Sequence, residues 1–197
     1  MLKRLFDIIF SLIVLLTLLP IFIVVAVLII VDSKGGIFFK QIRVGKNNVD
    51  FSLFKFRTMT VGSDKKGQIT IGNKDSRITK VGSILRKYKL DEFPQLINIL
   101  NGEMSIVGPR PEVRKYVELY TKEQLNVLSV KPGLTDYASL EYINESEILG
   151  NSEDPNQTYI DEIMPLKLKL NLKYISKISF ITDLSLIFKT IIRILAK

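Results

Sequence analysis

From Ile8 to Val31 the chain runs for 24 residues interrupted only by Ser11, Thr17 and Pro20. A straight helix needs about 20 apolar residues to cross ~30 Å of hydrocarbon. This run is long enough, so the chain divides into a membrane segment, residues 1–33, and a domain formed by residues 34–197. It exceeds an ordinary signal-peptide core, and no small-residue cleavage pattern follows it. Pro20 sits near the middle and removes one helical hydrogen bond. The two halves have 12 residues each, or ~18 Å at 1.5 Å per residue, and neither crosses alone. Two layouts fit: a kinked span, or a helix–break–helix that dips in and returns to the same face. Lys3 and Arg4 precede the run, and Lys34, Lys40, Arg43 and Lys46 follow it. Basic residues favour the cytoplasmic side, so bases at both ends favour a re-entrant layout broken at Pro20.

The 197 residues contain no histidine and no cysteine. This excludes disulfides, Cys- or His-ligated metals, and any Ser–His or Cys–His nucleophile. Chemistry must come from carboxylates, hydroxyls, Lys, Arg or a hard, oxygen-ligated cation. Charge is uneven. Between Pro132 and Leu166 there are eight acids and no Lys or Arg; elsewhere 28 bases face 12 acids. A basic body suits a polyanionic partner, whether nucleic acid, anionic lipid or a phosphorylated substrate. The acidic stretch is expected on the far side from that partner. A second apolar pattern closes the chain. Positions 178, 180, 181, 184, 187, 188, 191, 192 and 195 form a helical stripe, with Lys189, Arg193 and Lys197 on a basic face. Such an amphipathic helix can lie in a membrane interface or pack on the protein's own core.

The middle of the chain holds the reactive residue types. Phe38 to Arg57 reads as a β-hairpin around Gly45-Lys46-Asn47-Asn48, where Gly45 and Asn48 can take positive φ. Lys40, Arg43, Lys55 and Arg57 project from it, and Lys55 and Arg57 are candidate phosphate ligands. Thr79 to Lys89 reads as a helix, and a second is expected from about Asp91 or Glu92 to Asn101, stopped by Gly102. Asp91 and Glu92 thus stand at a helix start with Arg86 upstream. An Asp there can simply cap the helix. Alternatively, the adjacent carboxylates can hold Mg²⁺, and the helix start can attract phosphate. In Val107-Gly108-Pro109-Arg110-Pro111, two prolines stiffen the loop that carries Arg110, which suits bidentate phosphate recognition.

These motifs occur in order: Phe39-x-Gln41-x-Arg43-x-Gly45, Lys55-Phe56-Arg57-Thr58-Met59, Arg86…Leu90-Asp91-Glu92, Gly102-x-Met104-Ser105-x-Val107-Gly108-Pro109-Arg110-Pro111 and Lys131-Pro132-Gly133-Leu134-Thr135. Together they resemble the bacterial sugar transferases, the small monotopic phosphoglycosyl transferases, over nearly the whole chain. The resemblance implies transfer of a phosphosugar from a UDP-sugar to polyprenol (undecaprenyl) phosphate, with release of UMP. It implies Asp91 as nucleophile, forming a covalent phosphosugar intermediate, and Glu92 as its metal-binding or positioning neighbour. Mg²⁺ would assist, and Arg110 and Arg86 would hold phosphate. It also implies a re-entrant helix broken at Pro20 and a site on the cytoplasmic face of the bacterial inner membrane.

The chain departs from the family pattern twice. The break is Leu19-Pro20 rather than Ser-Pro, and Asp136-Tyr137-Ala138-Ser139 follows Thr135 where many members have Gly-Trp-Ala-Gln. The second departure bears on which sugar is accepted. The expected architecture is α/β and mostly helical, with a re-entrant membrane helix, a small antiparallel hairpin and interfacial amphipathic helices. The competing class is a non-enzymatic, membrane-tethered basic binding module. It accounts for the charge and the apolar ends but gives no reason for a carboxylate pair followed by a proline-flanked Arg.

Overall fold

The apolar run folds as one helix, α1 (Leu2–Asp32), in a computed structural model that describes residues 2–63, 75–142 and 144–195. Pro20 lies inside α1, whose helical assignment runs through it from Leu2 to Asp32. The single lost hydrogen bond is outweighed by bonding on either side of it. Thr17 is also satisfied within the helix, its hydroxyl donating to the carbonyl of Ile13 at 2.8 Å. Leu12, Ile13, Leu16, Ile23, Val24, Val27, Leu28 and Val31 are exposed, and only 11% of the most apolar window is buried. A surface of this extent is a hydrocarbon-facing one and marks a membrane location.

Both ends of α1 are fastened to the rest of the chain. Near its start, Lys3 Nζ donates to Val107 O at 3.0 Å and pairs with buried Asp183, which also accepts from Tyr174 Oη at 2.7 Å. Arg4 Nη2 donates to Leu100 O at 2.9 Å, and Asp7 accepts from Ile106 N at 3.1 Å. At the other end Arg57 inserts beneath the helix terminus. It donates to Lys34 O at 2.7 Å, Ser33 O at 2.8 Å, Ser33 Oγ at 2.9 Å and Gly36 O at 2.6 Å. The last carbonyls of a helix lack intrahelical partners, and a buried guanidinium supplies them. Arg57 is therefore a helix cap, and its donors are spent on carbonyls rather than offered to phosphate.

The hairpin forms as expected from β1 (Phe38–Val44) and β2 (Asp50–Phe56), antiparallel with Gln41 opposite Leu53. Positive φ falls on Asn47 and Asn48, not on Gly45. Gly45 sits in a tight space: a Cβ there would stand 3.1 Å from the Phe51 ring. Next come α2 (Lys80–Lys87), capped by Thr79, and α3 (Gln95–Leu100). Buried Asn98 on α3 stitches this helix to β2, accepting from Phe54 N at 3.0 Å and donating to Ser52 O at 2.7 Å.

A second sheet was not legible in the sequence. β3 (Ser105–Val107) pairs in parallel with β4 (Gly133–Thr135), far along the chain. Gly108 and Gly133 pack backbone to backbone; a Cβ on Gly133 would lie 2.1 Å from Gly108 N, so no side chain fits. Between these strands lies the short helix α4 (Arg114–Val117).

The C-terminal third is helical: α5 (Tyr137–Glu141), α6 (Glu145–Gly150), α7 (Pro155–Thr158), a π-helical turn at Tyr159–Ile163, α8 (Met164–Ile175) and α9 (Phe180–Leu195). One core gathers Phe51, Leu96, Ile99, Met104, Val107, Tyr174 and Leu186, with Phe6 and Phe10 of α1 against it. A second gathers Val113, Tyr116, Leu149, Tyr159 and Leu168. The amphipathic α9 does two jobs. Leu186 and Asp183 face inward, whereas Ile181, Leu184, Phe188, Ile191 and Ile192 of the expected stripe stay exposed. Ala196 and Lys197 of that pattern lie outside the described residues.

Candidate active site

Asp91 and Glu92 sit in a 3₁₀ turn, Leu90–Glu92, entered through Lys89 in the left-handed region. They are not the first residues of a long helix. Pro94 ends the turn and α3 has only six residues. The expected helix-terminus field is correspondingly small, because macrodipole effects need a run of aligned peptides. The charge that balances these carboxylates comes instead from side chains.

Both acids are buried, yet they differ in what they touch. Glu92 accepts from Lys55 Nζ at 2.9 Å and from Arg110 Nη1 at 3.1 Å, and its second contact with Arg110 makes the pair bidentate. Asp91 makes no hydrogen bond or ion pair among the described residues, and it lines a large open cavity of about 1460 Å³. The environments separate the two titrations. Burial pushes Asp91 up, and Lys55 and Arg86 only partly oppose this. Burial also pushes Glu92 up, but Arg110 and Lys55 outweigh it and hold Glu92 well below the usual carboxylate range. Adjacent acids driven apart in this way are the pattern of a division of labour.

The cations around them are also placed by the fold. Lys55 is delivered by β2, and burial lowers its pKa against the pull of Glu92. Arg86, on α2, donates from Nε to Thr58 Oγ1 at 2.9 Å; burial lowers its pKa while Asp91 raises it. Arg110 is held by its backbone as well as its fork. Its N–H donates to Asp136 Oδ2 at 3.2 Å, while Asp136 Oδ1 accepts from Ser139 N at 2.7 Å and caps α5. Glu92, Lys55, Arg86 and Arg110 thus converge on one cavity with Asp91, and Arg57 does not join their charge network.

Several supporting residues were not singled out by the sequence. Asp136 was read as one acid in a stretch and as the start of the departure Asp136-Tyr137-Ala138-Ser139, not as the residue that holds Arg110. Glu112 accepts from Arg43 Nη1 at 3.1 Å and from the Tyr159 hydroxyl, and Arg43 also donates to Pro111 O at 3.0 Å. These bonds brace the loop that carries Arg110.

The donor set also bears on the magnesium expected from the sequence. Among the described residues no group of three or more acids could hold a metal. Mg²⁺ sites that also engage substrate phosphates need only one or two carboxylates. Asp91 offers open oxygens for such a site. Glu92 does not while Lys55 and Arg110 occupy its own.

The family model for bacterial sugar transferases matches residues 1–197. The chain is 36% identical over 196 residues to a UDP-N-acetylgalactosamine-undecaprenyl-phosphate N-acetylgalactosaminephosphotransferase of Aeromonas hydrophila, covering 98% of this chain and 43% of that protein. It is 34% identical to the uncharacterized sugar transferase EpsL of Bacillus subtilis, covering 98% of this chain and 87% of that one. A UDP-glucose:undecaprenyl-phosphate glucose-1-phosphate transferase of Klebsiella pneumoniae is 36% identical, with 97% and 39% covered. The chain therefore belongs to the bacterial sugar transferase family. It spans less than half the length of the Aeromonas and Klebsiella relatives.

Proposed function

We propose that the protein is a phosphoglycosyl transferase that moves a phosphosugar from a UDP-sugar to undecaprenyl phosphate at the membrane surface. The observation that carries this reading is the asymmetry of the acid pair. Glu92 is tied into ion pairs, whereas the Asp91 carboxylate faces the cavity without a partner among the described residues.

In the first step an Asp91 oxygen attacks the phosphorus that bears the sugar. An Asp–phosphorus bond forms, the diphosphate bridge breaks, and UMP leaves with the bridging oxygen and its electron pair. In the second step an oxygen of undecaprenyl phosphate attacks the same phosphorus. The acyl–phosphate bond breaks, the carboxylate is restored, and a lipid-linked diphosphosugar departs. No proton is required from a base, which suits a site without histidine. Arg110 and Arg86 stand where phosphate charge must be held, and preorganised cations of this kind favour the transition state. Asp91 would hold Mg²⁺, which would supply further neutralisation of the phosphates.

The layout of α1 supports a site facing one side of the membrane. Both of its ends bond to the same domain, through Lys3, Arg4 and Asp7 at one end and through Arg57 at the other. Asp32 adds a bond to Val81 N at 2.9 Å. A span that crossed the bilayer would separate those ends. We place both on the cytoplasmic side of the bacterial inner membrane.

Two measurements test this reading. Purified full-length protein is expected to release UMP from at least one UDP-sugar only when undecaprenyl phosphate is supplied. A failure across a panel of UDP-sugars defeats the activity. The layout is tested by single cysteines introduced before Lys3 and, separately, after Lys34, since the chain has none of its own. Both are expected to react with an impermeant thiol reagent from the cytoplasmic side alone. Labelling of the N-terminal cysteine from outside defeats the re-entrant layout.

A further inference from the structure

Apart from Asp136, which holds Arg110, the acidic stretch from Pro132 to Leu166 has no task in the transfer steps above. It is not a detached solvated segment on the far side of the molecule. Leu149, Tyr159 and Ile163 are buried in the second core, and Tyr142, Glu145, Glu147 and Tyr159 line the cavity that holds Asp91. This wall is firmly built. Lys167, the first base after the stretch, pairs with Glu145 at 2.7 Å and lies over the Tyr159 ring, 5.2 Å from its centroid. The Tyr159 hydroxyl is in turn fixed by Glu112. Glu145 is also close enough to Arg110 to strengthen that residue's hold on its proton.

Charge differs from place to place in the cavity lining. Lys87 follows Arg86 along α2, whereas Arg110 has Glu145 within electrostatic reach. The two halves of the donor differ in the same sense. UMP leaves with growing negative charge and is favoured near Arg86. The sugar beyond its phosphate is uncharged and hydroxyl-rich, so the carboxylate near Arg110 can accept its hydrogen bonds without repelling it. A fixed ammonium beside it can donate to a hydroxyl or an acetamido oxygen. Such a mixed, buried set discriminates well, because a mismatched sugar leaves one of its members unpaired.

We propose that Glu145, Lys167 and Tyr159 form the subsite for the donor's sugar ring and determine which uncharged sugar is accepted. This rests on the phosphosugar-transfer reading above. The same wall disfavours a donor whose sugar carries its own carboxylate, because Glu145 would face it. The departure from the family pattern at Asp136-Tyr137-Ala138-Ser139 leads straight into this wall.

The test compares binding of UMP, UDP-glucose, UDP-N-acetylgalactosamine and UDP-glucuronate to the full-length protein and to Glu145→Gln and Lys167→Met. Glu145→Gln preserves shape, and thermal melts verify that each variant is folded. Both substitutions are expected to weaken the preferred neutral UDP-sugar by roughly 10-fold or more while leaving UMP within about twofold. Glu145→Gln is expected to narrow the gap between that sugar and UDP-glucuronate. Equal weakening of UMP would assign the wall to the nucleotide and overturn the proposal, as would unchanged binding of every ligand. Failure of the underlying reading shows in the unsubstituted protein instead, as UMP binding without any gain from an attached sugar.

Discussion

Asp91→Asn is expected to abolish UMP release, by roughly 10³-fold or more as for loss of other enzymatic nucleophiles, and to do so without harming the fold. Asparagine preserves the side chain's shape but cannot attack phosphorus. No phosphosugar adduct should then be trapped on the protein, whereas mass spectrometry of quenched wild-type reactions should find one on Asp91. The same substitution is expected to raise the melting temperature at neutral pH. Burial raises the folded-state pKa of Asp91 above 3.8, so its ionised form costs stability. That cost is absent below the unfolded value, grows as pH rises toward the folded value, and is constant above it. The variant's advantage should therefore vanish in acid. Turnover by Asp91→Asn, or an adduct mapped elsewhere, would remove Asp91 from its assigned role.

The opposite outcome is expected one residue later. Glu92→Gln removes the charge that Lys55 and Arg110 share, leaving two partly exposed cations without their counter-ion. Breaking a fully buried pair costs about 3–5 kcal/mol; with solvent reaching both cations the expected loss is about 2–3 kcal/mol, or a melting shift of roughly 5–10 °C for a chain of this size. Activity should also fall, because the Arg110 fork loses its anchor. The pH dependence has the reverse sign to that of Asp91. The folded pKa of Glu92 is depressed, so its contribution is complete above the unfolded value near 4.5 and is lost as pH falls through the folded one. Wild type and Glu92→Gln should thus begin to converge in stability below about pH 4.5 and meet only below the folded value. Equal melting points at pH 7 would show that the ion pairs do not support the fold.

The elements read most clearly from the sequence were those whose signal is local. An apolar run of 24 residues, a hairpin with its Asn-rich turn and a helix capped by Thr79 each depend on neighbours a few positions away. The Asp91–Glu92 pair and the Pro-flanked Arg110 were equally visible as motifs, and the fold brings them together. The misreadings concern partners distant in sequence. A cation on a strand looks the same whether it meets a phosphate or the carbonyls of Ser33 and Lys34, so Arg57 read as a ligand. β3 and β4 have three residues each, too few to show any periodicity, and their pairing spans the whole of α4. Nor could spacing reveal that Glu92 is engaged and Asp91 is not, because that difference is made by Lys55 from the hairpin and Arg110 from the loop.

The double fastening of α1 has a mechanical consequence. A catalytic head on a supple tether would bob at varying heights and meet its lipid substrate by chance excursions. Here Lys3, Arg4 and Asp7 clamp one extremity and Arg57 the other, so the head has no slack. Its altitude above the hydrocarbon is set from both ends of α1, and on the proposed reading the hunt for a lipid-borne phosphate becomes a search in the plane rather than through a volume.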